Sequence, residues 1–276
     1  MSTATSAAGR WRSALEEWAI PAEILAAAPE SPWQLTTAPF AARADRALRE
    51  GVTTPSRKRA LEALPDGGAV LDVGAGAGAA SLPLLTRAAR LVAVDGDAAM
   101  LAALRDRVPA DVDLTVVHGR WPDVAGQVDD VDVVVCNHVA YNVPNLDDAV
   151  AAMTMKARRR VVLELTALHP RSGQNFLWPI FHGIERPARP TAADAVAVVR
   201  ETGVDPRIEE RTPTDLMLAS HELPDLVATV RRYLCLGPDR DAEIAAALEP
   251  RLLRRDGLVG LPPLPVVTVW WDAPAR

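Results

Sequence analysis

Val70-Leu71-Asp72-Val73-Gly74-Ala75-Gly76-Ala77-Gly78-Ala79-Ala80-Ser81 is an apolar run that breaks into three glycines at alternate positions. The first residues read as a buried strand, and the run after Gly78 reads as the start of a helix. Losing Cβ at alternate positions lets the main chain turn sharply and lie against a ligand. The N-terminus of a following helix would aim amide N–H groups at an anionic group such as a carboxylate or phosphate. A second apolar run, Leu91-Val92-Ala93-Val94, closes on Asp95, 23 positions after Asp72. An acid at the end of a second strand is where nucleoside-binding sheets hold a ribose diol. Together the two runs imply a cofactor that contains adenosine.

The rest of the chain alternates in the same way. Strands are expected at Ala69–Val73, Leu91–Val94, Leu114–Val117, Val131–Cys136 and Arg160–Leu165, with helices at Ala79–Ala88, Ala98–Val108 and Leu146–Ala157. Nearly continuous apolar runs such as Val131-Asp132-Val133-Val134-Val135 suit strands covered on both faces. Strand–helix alternation implies a doubly wound parallel sheet with right-handed crossovers and a ligand at the carboxyl ends of its strands. Before it, residues 11–64 read as helices punctuated by proline, and Thr54-Pro55-Ser56 opens the last of them. Beyond it come a helix at Thr191–Thr202, a strand around Ile208, helices at Leu223–Leu236 and Asp241–Leu253, and a terminal strand at Pro265–Trp271. The expected division is residues 1–53 as a helical cap, 54–212 as the cofactor-binding core, 213–262 as a helical insertion and 263–276 as the last core strand.

Composition narrows the function classes. A net charge of −6 offers no general attraction to a phosphate backbone, so nucleic acid is disfavoured as a partner. Cys136 and Cys235 are the only cysteines, and neither has a neighbour at metal-ligand spacing. No run approaches the roughly 18 apolar residues of a membrane span, and no secretory signal is evident, so a cytoplasmic location is expected.

The glycines alone leave two cofactors open. Gly74-x-Gly76-x-x-Ala79 fits an alanine-tolerant dinucleotide pattern, and Gly74-x-Gly76-x-Gly78 fits that of S-adenosylmethionine enzymes. Three features favour the second: the motif lies some 70 residues in, Asp72 precedes the first glycine by two positions, and the last two strands suggest an antiparallel closing pair. On Asp72–Gly78, Val94-Asp95-Gly96-Asp97-Ala98-Ala99-Met100-Leu101 and Asn137-His138-Val139-Ala140-Tyr141-Asn142-Val143, the chain resembles the class I S-adenosylmethionine-dependent methyltransferases over residues 55–166.

The resemblance implies a Rossmann-like, seven-stranded, mostly parallel sheet with an N-terminal helical cap and a helical insertion before the last strand. It implies that Gly74, Gly76 and Gly78 wrap the methionine part of the cofactor and that Asp72 faces its amino group. Asp95, beside Gly96, would take both ribose hydroxyls, Met100 would pack on the adenine, and Asn137 would border the site. Arg120 stands where the family usually has an acid that reads the adenine amino group. Backbone groups near Arg120 and Trp121, or the Asp123 side chain, are the substitutes.

Methyl transfer from a sulfonium is an in-line displacement, so the protein mainly aligns and desolvates, adding a base only where the acceptor must lose a proton. The family's Asn/Asp-Pro-Pro-Tyr/Phe motif for amino groups on bases or glutamine is absent after the fourth strand, which leans toward a small-molecule acceptor methylated at oxygen or nitrogen. His138 is the first choice to face the transferred methyl, with Tyr141 and Asn142 in the same loop. Glu164 is an acid in an apolar strand that is either paired at the rim or faces the pocket. His169, Trp178, Phe181 and His182 fall where an acceptor lid often lies, and Arg43 could meet the cofactor carboxylate. Trp11, Trp18 and Trp33 lie in the cap, as packing residues or as staples of a lid. The alternatives are an RNA or protein methyltransferase, an NAD(P)-dependent oxidoreductase, and a binding module without turnover. A homodimer is compatible with all of these.

Overall fold

The computed structural model describes residues 6–33, 37–49 and 53–274. Strands β1 (Gly68–Val73), β2 (Ala88–Asp95), β3 (Asp113–His118), β4 (Val131–Asn137), β5 (Ala157–Thr166) and β6 (Arg207–Arg211) form one sheet with a strand from the end of the chain. Three short strands, β7 (Met217–Ser220), β8 (Leu253–Arg255) and β9 (Leu258–Leu261), make a separate antiparallel sheet, and β10 (Val266–Asp272) returns to the first. The large sheet has the order β3-β2-β1-β4-β5-β10-β6. β1 to β5 pair in parallel, and only β10 runs against its neighbours β5 and β6. The expected seven-stranded, mostly parallel sheet with a closing antiparallel strand is present.

Helices α1 (Ala7–Glu16), α2 (Ala22–Ala27), α3 (Thr37–Arg49) and α4 (Pro55–Ala63) precede the sheet. α5 (Ala98–Arg105), α6 (Leu146–Lys156), the short α7 (Trp178–His182) and α8 (Ala192–Glu201) lie between its strands, and α9 (Leu223–Tyr233) and α10 (Asp241–Leu248) belong to the insertion. On one face, Leu71, Val134, Leu163 and Val269 pack with Val150, Met153 and Val196 of α6 and α8. On the other, Val70, Leu91 and Val133 pack with Ala60 and Leu64 around α4 and with Leu101 and Leu104 of α5. Each fully buried Val, Leu or Met among these contributes about 1.5–3 kcal/mol from desolvation alone.

The cap divides between two tasks. α1 packs into the main core through Trp11, which is wholly buried, stacks on Tyr141 with ring centroids 5.5 Å apart and donates to the Val143 carbonyl at 2.9 Å. α3 instead crosses the carboxyl rim of the sheet. Its Ala41 and Ala44 sit on Ala77 and Leu82 behind the glycine loop, and Asp45 is held by Arg107 at 2.7 Å. Arg46 reaches Asp215 at 3.2 Å, between β6 and β7. Trp18 and Trp33 tie the cap to the far side: Trp18 stacks on His169 at 3.7 Å, and the Arg171 guanidinium lies 4.2 Å over the exposed Trp33 ring.

Two elements depart from the sequence reading. The helix expected at Ala79–Ala88 is a single 3₁₀ turn, Leu82–Thr86. Pro83 has no N–H to give, the Arg87 carbonyl is taken by Gly67 N–H at 2.8 Å, and the chain enters β2 by Ala88. The helix N-terminus invoked for anion binding is therefore missing, and the loop must work by other means. The insertion carries its two helices and, beside them, the three-stranded sheet, around a core of Leu226, Val230, Leu234, Ile244, Leu248 and Leu261. Among the described residues no helix is long and apolar enough to cross a membrane.

Candidate functional site

The register of the sheet lines up a polar row. Asp72 pairs with Ala93 and Val135, Asn137 with Glu164, and Glu164 with Thr268. Side chains alternate faces along a strand, so Asp95, Asp72, Asn137, Glu164 and Thr268 all leave the same face near the carboxyl ends of β2, β1, β4 and β5. This is the face covered by α4 and crossed by α3.

The glycine loop is left-handed at all three glycines, with φ of +70°, +52° and +93° at Gly74, Gly76 and Gly78. The three are not equivalent. A Cβ on Gly74 would lie 2.2 Å from Val139, and one on Gly78 would lie 2.8 Å from Leu82, so both are required by the protein's own packing. A Cβ on Gly76 would meet nothing within 4 Å. Gly76 alone faces open space, where a ligand can approach the main chain. Its N–H donates to one Asp95 oxygen at 2.8 Å, and the Asp97 N–H donates to the other at 2.9 Å. A carboxylate oxygen has two lone pairs, so each keeps one for a further donor.

Asp72 is 1% exposed, and among the described residues neither of its oxygens meets a donor in hydrogen-bonding geometry. The same holds for Asn137 Oδ1 and Ser81 Oγ. Burial pushes the Asp72 carboxyl up to about 7, the Ser81 hydroxyl beside it pulls the other way, and the charge of Asp95 adds to the rise. An unsatisfied buried carboxylate costs several kcal/mol, which a cationic donor would recover.

A second cluster adjoins it at the ends of β4 and β5. His138 takes φ +62°, rare for a side-chain-bearing residue, and its N–H donates to the Glu164 carbonyl at 2.6 Å. That conformation turns the imidazole toward Glu164, whose Oε1 lies 3.2 Å from Nε2. Glu164 Oε2 accepts the Ser56 hydroxyl at 2.6 Å. Ser56 is placed by the start of α4, where Thr54 caps the Arg57 N–H at 3.2 Å and Pro55 fills the first turn. Arg43 of α3 brings Nη2 to 2.7 Å from the same His138 Nε2. Nε2 thus stands between a guanidinium, which only donates, and a carboxylate, which only accepts: a proton on Nδ1 lets it accept from Arg43, and a proton on Nε2 lets it donate to Glu164. Burial and the charge of Arg43 lower the His138 pKa against the opposing pull of Glu164. Burial works against ionisation of Glu164, but His138, Ser56 and Arg211 outweigh it and hold the carboxyl below its usual range.

The remaining residues expected at the site fall into two groups. Gly96 and Arg120 lie together at the open rim, the Arg120 stem 3.6 Å from where a Gly96 Cβ would be, and Met100 is buried at the start of α5 beside them. Trp121 and Tyr141 do not join them. The Trp121 indole is buried and donates to the Ala149 carbonyl at 3.1 Å, leaving only its backbone near the rim. The Tyr141 hydroxyl donates to the Thr166 carbonyl at 2.8 Å and burial pushes its pKa up, so Tyr141 is a packing residue and the catalytic role expected of it is withdrawn. The expected acceptor lid is likewise a structural hub: His169 stacks on Trp18 and meets Tyr141 edge-on, and His182 Nε2 meets the Leu234 carbonyl at 2.7 Å. Ser56 and Arg211 went unnoticed, because nothing in a helix N-terminus or a short strand marks them as facing Glu164.

A family profile described as a methyltransferase domain matches residues 70–161. None of the curated proteins matches this sequence. Among solved structures, a candidate methyltransferase of Bacillus halodurans C-125 is similar at TM-score 0.52 and 14% identity, covering 80% of this chain and 100% of its own. The YcgJ protein of Bacillus subtilis is similar at TM-score 0.52 and 14% identity, covering 79% and 97%. At that identity the likeness is one of fold. The profile match places a methyltransferase domain at residues 70–161, within that fold. S-adenosylmethionine is the cofactor that such a domain calls for.

The residues present fit that cofactor. The partnerless oxygens of Asp72 and Asn137 suit an ammonium group with three donors, the open side of Gly76 admits an amino-acid tail, and the free lone pairs of Asp95 suit a diol. The electrostatics give a pH test. Since Asp72 must be ionised to pair with an ammonium, S-adenosylhomocysteine affinity should rise with pH by up to about tenfold per unit below about 7 and level off above it. In Asp72→Asn the affinity should be weaker and the slope gone. The unfolded chain loses this proton near 3.8, so the unliganded fold should also lose stability from pH 4 to about 7. Calorimetry showing wild-type affinity flat from pH 5.5 to 7.5 would contradict the assignment.

Proposed function

We propose that the enzyme methylates a small-molecule acceptor at oxygen or nitrogen, with His138 as the base. The observation that carries this reading is the roof made by α3. From the Arg107 contact of Asp45 to the Asp215 contact of Arg46, the helix lies across the rim and brings Arg43 onto His138. A roofed site suits an acceptor that can be enclosed, and the net charge of −6 gives a nucleic acid little reason to dock.

Bound cofactor supplies a methyl group already activated by the sulfonium charge. Asp72 and Asn137 are proposed to hold its amino group, the Gly76 backbone to border the tail, and Asp95 to hold the ribose hydroxyls. Met100, Gly96, Arg120 and the backbone of Trp121 would border the adenine. Burial and the Arg43 charge favour the neutral ring, and in the tautomer with its proton on Nδ1 the Nε2 lone pair can take the acceptor proton as the new bond to carbon forms and the carbon–sulfur bond breaks. The imidazolium then stands 3.2 Å from the Glu164 carboxylate, which offsets its charge. Ser56, bonded to the other oxygen, keeps Glu164 in place.

Two substitutions separate these roles. Asp95→Ala should weaken S-adenosylhomocysteine binding at least about tenfold, the loss of charge-assisted bonds worth roughly 1.5–3 kcal/mol; unchanged affinity in a calorimetric titration would remove Asp95 from the cofactor. His138→Ala should keep near-normal S-adenosylhomocysteine affinity and lose turnover by about 10²-fold or more, the usual scale of a general base. Full methyl transfer from labelled S-adenosylmethionine by that variant would remove His138 from the chemistry.

A further inference from the structure

We propose that the methyl acceptor carries an anionic group, a carboxylate or a phosphate, and that Arg43 and Arg211 receive it beside His138. This rests on the small-molecule reading above and narrows it. In a chain of net charge −6, three guanidiniums converge on this one corner: Arg43 and Arg46 from α3 and Arg211 from the end of β6, around the carboxylates of Glu164 and Asp215. Only one of the three is well paired. Arg46 has Asp215 at 3.2 Å.

Arg43 directs its Nη2 at a neutral imidazole nitrogen. That bond lacks the charge assistance and the two-point fit a guanidinium finds in a carboxylate or phosphate. Arg211 stands 3.9 Å from Glu164, and its buried Nε has no hydrogen-bond partner among the described residues. The Glu164 oxygens are turned to Ser56 and His138, and Arg211 meets the nearer of them only at 3.9 Å. Two under-bonded cations from separate elements thus flank the base.

An anion between them gains charge-assisted bonds from both. By drawing Arg43 away from Nε2, it also uncovers the lone pair that takes the acceptor proton. Recognition of the anion and release of the base become one event, and an acceptor without the charge leaves His138 covered.

The test is a calorimetric titration of the full chain, saturated with S-adenosylhomocysteine, using benzoate, phenyl phosphate and the neutral benzamide. At least one anion should bind about tenfold tighter than benzamide, the difference should vanish in the Arg43→Met, Arg211→Met double variant, and S-adenosylhomocysteine affinity should move by less than about twofold. Arg43→Lys, which keeps the charge, should retain part of the preference. Anions and amide binding alike, neither anion binding, or a preference that survives the double substitution overturns the proposal. So does a large loss of S-adenosylhomocysteine affinity in Arg43→Met, which would put that guanidinium on the cofactor's own carboxylate. The titration reads equilibrium binding only, so its failure is distinct from a failure of the turnover expected to depend on His138.

Discussion

A carboxylate buried with only the Ser81 hydroxyl and amide near it is the constraint around which this rim is organised. Asp72 sits in the middle of the sheet at 1% exposure, with both oxygens unpartnered among the described residues. A fold tolerates that only if stability supplied elsewhere offsets it, and the apolar strands on either side of β1 supply it here. The strain is useful because it can be relieved by one kind of ligand, a cation with several N–H donors. Asn137, two residues beyond the partner of Asp72 on β4, offers a second unfilled acceptor on the same face. The main chain at Gly76 leaves the space open.

The sheet also explains why two chemistries sit side by side. Parallel pairing in register places Asn137 beside Glu164, so the end of the row proposed for the cofactor runs directly into the end proposed for the acceptor. The left-handed turn at His138 joins them, for it rotates one imidazole out of β4 toward the carboxylate of β5. Val139, the next residue, fills the space beside Gly74. One short loop therefore fixes both the glycine turn and the imidazole proposed as the base, and a change in either is felt by the other.

Much of this was legible in the sequence. The alternating apolar runs set the strands to within a few residues, and Asp72, the three glycines and Asp95 stand out in the sequence because main-chain approach and ribose recognition leave local signatures; the structure brings them to one rim. What was misread had no local signature. Pro83 and the early start of β2 turned an expected helix into one 3₁₀ turn. Trp121 and Tyr141 lie in polar-looking loops, yet each spends its donor on a backbone carbonyl in the core. The Arg43–His138–Glu164–Ser56 chain joins residues up to 121 positions apart, from α3, α4 and two strand ends. Only the folded topology brings such groups together.

The central claim is that the rim is built for the charged amino-acid tail of the cofactor as well as for its nucleoside. The most direct measurement compares S-adenosylhomocysteine with 5′-methylthioadenosine, which keeps the thioether and the nucleoside but lacks that tail, by calorimetry at pH 7.5. The account predicts that the truncated compound binds at least about 100-fold more weakly, a loss of about 2.7 kcal/mol. Affinities within about threefold of each other, less than about 0.7 kcal/mol apart, would contradict it.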